Sequence, residues 1–198
     1  MQSNKRLKVL GILGSPRIKG NTDLMLDSAL KAFRNKNIKV EKVALSKLKF
    51  KPCIECGGCD LTGVCVLKDD LSGIYKKIKE SDIIIVATPI FFGSLSALTK
   101  MLIDRMQCIW VEKYILKKPA ESGNKKLGAL IAVGGARTKK YFYNARSIIK
   151  IFFNVIDCRY EKDLFLGGCD ELGCALKNKL ALKEAYNLGK VLLKKVIL

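Results

Sequence analysis

Four of the eight cysteines fall inside one short stretch, CIECGGCDLTGVC, at Cys53, Cys56, Cys59 and Cys65. Their spacing is C-x2-C-x2-C-x5-C. Two successive two-residue gaps put three thiolates around one centre. Bacterial ferredoxins use such a run, although their fourth local cysteine serves a second cluster. Here the fourth cysteine follows five intervening residues, with Gly63 among them to allow a turn, and Gly57 and Gly58 relax the backbone before the third. One compact loop can therefore supply all four ligands of a single [4Fe-4S] cluster. Three other readings stay open. A four-cysteine zinc site more often uses two separated C-x2-C knuckles. A redox C-x2-C pair leaves two thiols unexplained. The thiols could also be purely structural.

A second stretch with chemistry in it is GSPRIKGNT, Gly14 to Thr22. It follows an apolar run and opens a helical pattern. Its backbone amides, the hydroxyls of Ser15 and Thr22, the Asn21 amide and the Arg17 guanidinium are all phosphate donors, gathered around Gly20 at a helix N-terminus. No Gly-Lys-Ser/Thr follows, so this is not a Walker loop. Gly11 and Gly14 give only GxxG, and no acidic residue ends the second strand, so it is not a dinucleotide fingerprint either. A monophosphate held without metal remains, which suits FMN. The competing reading is an ordinary strand-to-helix turn.

The elements that must position these groups alternate in type. Strands are expected at Leu7–Leu13, Ile38–Leu45, Asp82–Ala87, Leu127–Val133 and Cys158–Leu166. Helices are expected at Asp23–Lys36, capped by Asn21 or Thr22, and at Leu71–Lys79, capped by Asp69 or Asp70. Three more are expected at Leu95–Trp110, Tyr141–Val155 and Leu176–Val196. Five strands with helices between them imply a parallel α/β sheet covered on both faces, with right-handed crossovers. Ligands then sit beyond the C-terminal strand ends. The loops after strands one, three and four, GSPRIKGNT, TPIFFGS and GGARTKK, are the places to look.

Composition narrows the chemistry. The 198 residues suit a single domain, and 49% are apolar, enough for a core. There is no histidine, which removes His-dependent hydrolases, His-ligated haem and mixed His/Cys zinc sites. The N-terminal stretch lacks the apolar run of a secretory signal, and Pro89 and Gly93 interrupt the longest uncharged stretch, so a cytoplasmic protein outside the membrane is expected. In that compartment clustered cysteines are metal or redox groups rather than disulfides. Net charge is +19, from 30 Lys and seven Arg against 18 acidic residues. A lysine-rich solvated surface is the favoured reading, ahead of an acidic partner. Nucleic acid is ranked last as a partner, because no recognisable module accompanies the charge.

GSPRIKGNT, TPIFFGSLSALTKMLIDR and AVGGARTKK together resemble the flavodoxin-like NAD(P)H-dependent FMN reductases, over about residues 7 to 155. With CIECGGCDLTGVCVLKDD between the first two, the chain most resembles their iron–sulfur flavoprotein branch. The resemblance implies a flavodoxin-like α/β domain over residues 1–198, its five-stranded parallel sheet flanked by helices on both faces, with a cysteine-rich cluster-binding insertion at about 50–68. Ser15, Arg17, Gly20, Asn21 and Thr22 would hold the FMN phosphate. Pro89, Ile90, Phe91, Phe92 and Gly93 would lie along the ring, one of the two phenylalanines serving the core instead. Gly134 and Gly135 would approach the other edge through their amides. Cys53, Cys56, Cys59 and Cys65 would bind [4Fe-4S].

The resemblance further implies dimers that pair into tetramers, and electron flow from a low-potential donor such as ferredoxin to dioxygen, hydrogen peroxide or another acceptor. The alternative is a plain NAD(P)H-dependent FMN reductase whose cysteine loop is structural or holds zinc. Asp104 and Arg105 would form an ion pair or meet a neighbouring subunit. Cys108 is expected in the core and Cys158 in or near a strand. Cys169 and Cys174, in GGCDELGC, lie outside the family pattern, and a second metal site there would need further ligands. Trp110 and Tyr114, in the segment 107–126, would cap the flavin or pack at an interface.

Overall fold

The computed structural model describes residues 6–35, 37–118 and 126–197. Five parallel strands form the sheet: β1 (Leu7–Leu13), β2 (Ile38–Ala44), β3 (Ile83–Phe91), β5 (Lys126–Val133) and β6 (Cys158–Leu166). A two-residue β4 (Ser94–Leu95) pairs antiparallel with the end of β3. The order is β2-β1-β3-β5-β6, the flavodoxin-like arrangement, with its crevice where the order reverses between β1 and β3. The expected fold class is borne out.

β3 and β5 are almost continuously buried because helices cover both of their faces. One core layer joins Val9, Leu13, Ile83, Ile85 and Ile131 to the helices α1 (Asn21–Leu30) and α7 (Lys179–Ile197). The opposite layer joins Leu10, Ile12, Ile84 and Leu130 to α2 (Ser72–Glu80), α3 (Ala97–Asp104), α4 (Gln107–Trp110) and α5 (Lys139–Val155). The alternation of these β1 and β3 residues between the layers is the period of two that a strand requires.

Several boundaries differ from expectation. β3 runs four residues past Ala87, through Pro89, pairing Thr88 with Ala132 and Pro89 with Val133. Pro89 and Gly93 read as strand breakers, but the apolar run continues until the hairpin to β4. The expected helix at Leu95–Trp110 is broken. α3 ends at Asp104, α4 follows, and Val111–Ile115 winds as a π-helix. The last expected helix divides into α6 (Cys174–Lys177) and α7 around Asn178, whose carboxamide oxygen accepts from the Ala181 amide. α1 stops at Leu30 and a 3-10 turn carries on to Phe33; Lys36 lies outside the described residues, as do positions 119–125 of the segment 107–126. No helix among the described residues is long and apolar enough to cross a membrane.

Candidate flavin cleft and cysteine pocket

β1 delivers the chain to Gly14, whose amide donates to the Ala87 carbonyl at 2.7 Å. The turn that follows folds on itself: the Arg17 amide donates to Ser15 Oγ at 3.1 Å. Neither Asn21 nor Thr22 caps α1. Gly20 is the N-cap, with no side-chain acceptor, and the first helical bond runs from the Leu24 amide to the Gly20 carbonyl. The amides of residues 21, 22 and 23 are therefore left without an intrahelical acceptor, at the positive end of the helix dipole. Asp23 is turned away from them: it accepts from the Lys19 amide at 2.7 Å and pairs with Lys42 at 2.8 Å.

A cavity of about 120 Å³ opens at this helix end. Ser15, Arg17, Gly20, Asn21, Thr22, Pro89, Ile90, Phe91, Gly134 and Gly135 line it. The topology thus brings together the loops after β1, β3 and β5. Ser15 and Thr22 are buried and Arg17 is exposed.

Three residues behave differently from expectation. The Asn21 carboxamide is engaged elsewhere: it donates to the Glu171 carbonyl at 2.8 Å and accepts from the Ala175 amide at 3.1 Å. The Gly134 amide donates to the Leu166 carbonyl at 2.9 Å, which leaves Gly135 as the amide on that edge. Phe92 is fully exposed and does not line the cleft. With Gly93 it makes the two-residue turn of the β3–β4 hairpin, at φ +49° and +77°. Both central residues having positive φ is the type I′ pattern, which suits Asn-Gly and strains a phenylalanine. Phe91 is half exposed, so neither phenylalanine serves the core.

Other cleft residues were not anticipated. Cys169, Asp170 and Leu172 line it from the loop after β6. The signal lay in the glycine-bounded GGCDELGC, and in the fact that β6 borders β5 at the same end of the sheet. A buried hydroxyl knot beneath the cleft was also missed. Thr99 Oγ1 donates to Thr88 Oγ1 at 3.1 Å and lies 2.9 Å from Ser96 Oγ. Ser96 caps α3 through the Thr99 amide and donates to the Gly14 carbonyl at 2.6 Å. A Cβ at Gly14 would fall on Thr99 Oγ1, so only glycine lets the loop of residues 14–22 pass α3 here.

The cysteine loop is built over the far end of α3. Its neck is clasped by Asp69 and Asp70, which accept from the Lys51 and Lys49 amides at 3.3 and 2.7 Å. Arg105, whose side chain is wholly buried, bonds Asp69 through both terminal nitrogens, at 2.6 and 3.2 Å, and the Lys51 carbonyl at 2.8 Å. The ion pair of Arg105 is therefore with Asp69, while Asp104 pairs with Lys100. Burial works to raise the Asp69 carboxyl, and the Arg105 guanidinium with the Lys51 and Leu71 amides more than offsets it, leaving it below its ordinary value. Asp69 thus serves the neck and does not cap α2, whose N-cap is Leu71.

Cys53, Cys56, Cys59 and Cys65 all line one cavity of about 350 Å³, walled by Arg105 and Cys108. The buried Arg105 Nε has no hydrogen-bond partner among the described residues. Among those residues no three His, Cys, Asp or Glu side chains are grouped closely enough to hold one metal ion. Burial pushes the Cys108 thiol up to about 11, and the Cys158 thiol, at the start of β6, up to about 12. Cys108 is in the core and Cys158 in a strand, as expected, and burial makes both poor nucleophiles. Trp110 lines a neighbouring groove with Cys53, Met106 and Ile151, and its ring lies 5.7 Å from that of Tyr114. Neither ring lines the cleft. Cys169 and Cys174 are joined as a disulfide, so neither offers a thiolate to a second metal.

This crevice, at the switch point of a doubly wound sheet with a helix N-terminus facing it, defines a flavodoxin-like mononucleotide-binding protein. The chain belongs to the NADPH-dependent FMN reductase family, whose model matches residues 7–157. It is 39% identical over 131 residues to an iron-sulfur flavoprotein of Methanocaldococcus jannaschii, covering 66% of this chain and 64% of that protein. It is 44% identical over 100 residues to an iron-sulfur flavoprotein of Archaeoglobus fulgidus, covering 50% of this chain and 46% of that one. The chain thus spans less than two thirds of the length of these relatives. Among solved structures, an NAD(P)H:quinone oxidoreductase from Methanothermobacter marburgensis shares the fold with a TM-score of 0.71 at 16% identity, covering 94% of this chain and 96% of that one.

Proposed function

We propose that the chain is an iron–sulfur flavoprotein: one flavin domain, with a cysteine-rich insertion at about 50–68, that passes electrons between a low-potential donor and an acceptor. The observation that carries this reading is the placement of α3. It is capped at its start by Ser96, which holds the phosphate loop, and followed at its end by Arg105, which walls the cysteine pocket. The eight residues of α3 separate the two, which lie about 13 Å apart along the axis.

FMN, when bound, supplies one- and two-electron chemistry, and a [4Fe-4S] cluster supplies single-electron chemistry. The residues suit both. The free amides of residues 21–23, the Ser15 and Thr22 hydroxyls and the exposed Arg17 would hold a phosphate dianion at the α1 N-terminus. Pro89, Ile90 and Phe91 would form the apolar wall for a ring, with the Gly135 amide on the opposite side. For the cluster, the donor set is four soft sulfurs, and the unpartnered Arg105 Nε supplies a buried N–H and positive charge in the pocket wall. A lone zinc, with Zn–S of about 2.3 Å, would need the sulfurs drawn within about 4 Å of one another. The cavity of about 350 Å³ that all four thiols line has room for a multi-iron group.

The donor in this reading is an acidic carrier such as ferredoxin, drawn to a chain of net charge +19. The acceptor is dioxygen, hydrogen peroxide or a similar oxidant, and the compartment is the cytoplasm. Exposed Ile54, Leu61, Val64 and Phe92 favour a homodimer or homotetramer in which they are covered. A second reading takes NAD(P)H as the donor, with the cysteine loop structural or holding zinc. It is favoured by the family's name and by a full-length match, 28% identical over 193 residues, to a Bacillus subtilis protein named as an NAD(P)H-dependent FMN-containing oxidoreductase.

Titration with FMN and with riboflavin tests the flavin site. FMN is expected to bind one per chain, about a hundredfold or more tighter than riboflavin, because only FMN carries the phosphate. Equal affinity for the two would overturn the assignment of residues 15–22.

A further inference from the structure

We propose that Cys169 and Cys174 form a reversible thiol–disulfide exchange site in the wall of the cleft, with a small or protein-borne dithiol as reaction partner, and that its oxidation state sets the seat of the phosphate. The second half of the proposal rests on the flavin reading above; the first does not.

The pair sits where exchange has a consequence. Cys169 and Asp170 line the cleft, and the Cys169 amide donates to the Gly134 carbonyl at 3.0 Å. The residues spanned by the disulfide, and the one just beyond it, hold Asn21, the first residue of α1. Glu171 accepts from the Asn21 carboxamide and the Ala175 amide donates to it. The phosphate-binding helix end is thus pinned to a six-residue covalent loop, residues 169–174. Such a short closure adds less to global stability than a long one, and opening it leaves both core layers of the sheet in place. Gly168 and Gly173, at φ +71° and +80°, each directly precede one of the two cysteines. Cys174 is partly exposed while Cys169 is 3% exposed, so an incoming thiolate meets the Cys174 sulfur.

The exchange balances. The partner's thiolate attacks Cys174 Sγ, the S–S bond breaks, and Cys169 leaves as a thiolate and takes a proton. The partner's second thiol then displaces Cys174, so the partner departs as a disulfide and the chain gains two thiols. Two electrons and two protons have passed. With the loop opened, Asn21 loses the fixed position of both its partners.

The test equilibrates the whole chain in buffers of reduced and oxidised dithiothreitol. Thiols are trapped by alkylation and counted by mass on the peptide holding residues 169 and 174. Amide hydrogen exchange at residues 24–27, the first hydrogen-bonded turn of α1, and FMN affinity are read on the same samples. The expected result is a linked peptide that becomes doubly alkylated on reduction, with exchange about tenfold faster and FMN binding about tenfold weaker. Cys174→Ser should behave like the reduced chain in both buffers. Two free thiols at every redox setting, or identical amide exchange in both states, would overturn the proposal. Should neither state bind FMN, the flavin reading falls, and amide exchange still decides this one.

Discussion

The hydroxyl of Ser96 donates to the carbonyl of Gly14 at 2.6 Å, and so fastens the α3 N-cap to the first residue of the loop proposed to hold the phosphate. Removing it costs twice, through the lost cap and through a buried carbonyl left without its donor. Ser96→Ala is expected to lower stability by about 2 kcal/mol and to weaken FMN binding several-fold. Gly14→Ala should be worse, because its Cβ falls on Thr99 Oγ1. Urea denaturation and fluorescence titration on the same variants check both effects.

Phe92 occupies a left-handed turn position with its ring in solvent. Strain of this kind gathers where function over-rides the backbone. Phe92→Asn keeps the turn and relieves about 1 kcal/mol of strain, so its denaturation midpoint should rise. Its oligomer should become smaller in light scattering, because the exposed ring is assigned to subunit contact. A midpoint that falls would show that the ring packs within its own chain.

The Asp69–Arg105 clamp makes the neck of the cysteine loop sensitive to acid. The Asp69 carboxyl lies below its unfolded value, about 3.9, so the unfolded chain binds more protons around that pH. The clamp therefore contributes fully above that value, and its contribution is lost as pH falls through the lower, folded one. Stability of the native chain should decline across that window more steeply than that of Asp69→Asn, which is weaker at neutral pH. Parallel pH profiles of the two would remove this role from Asp69.

Much of the site was legible in the sequence because short, local signals encode it. The β1 run, the glycine-spaced phosphate loop and the cysteine spacing need no distant partner to be read. What escaped depends on contacts between remote segments. The Ser96 hydroxyl means nothing until β3 extends through Pro89 and brings Thr88 beside it. Asn21 reads as a phosphate donor or a cap until Glu171 and Ala175, some 150 residues away, claim its amide. Asp104 or a neighbouring subunit reads as the partner of Arg105 in sequence, but successive residues of a helix point apart, and its partner is Asp69.

The surface charge predicts how an acidic electron carrier would arrive. With a net charge of +19, the association rate with ferredoxin should fall steeply between low and physiological salt. Stopped-flow reduction across a salt series reads it directly. A rate that is flat with salt removes the acidic-carrier assignment and moves the donor to NAD(P)H.

The central claim is that one chain carries a flavin and a four-iron cluster. The measurement that tests it most directly is made on protein purified without oxygen: the visible spectrum, with iron, acid-labile sulfide and zinc assayed on the same sample. About four irons and four sulfides per chain, with a broad shoulder beside the flavin bands, is the predicted result. Flavin bands alone, with zinc or no metal, would contradict it and leave Cys53, Cys56, Cys59 and Cys65 as the thiols of a structural loop.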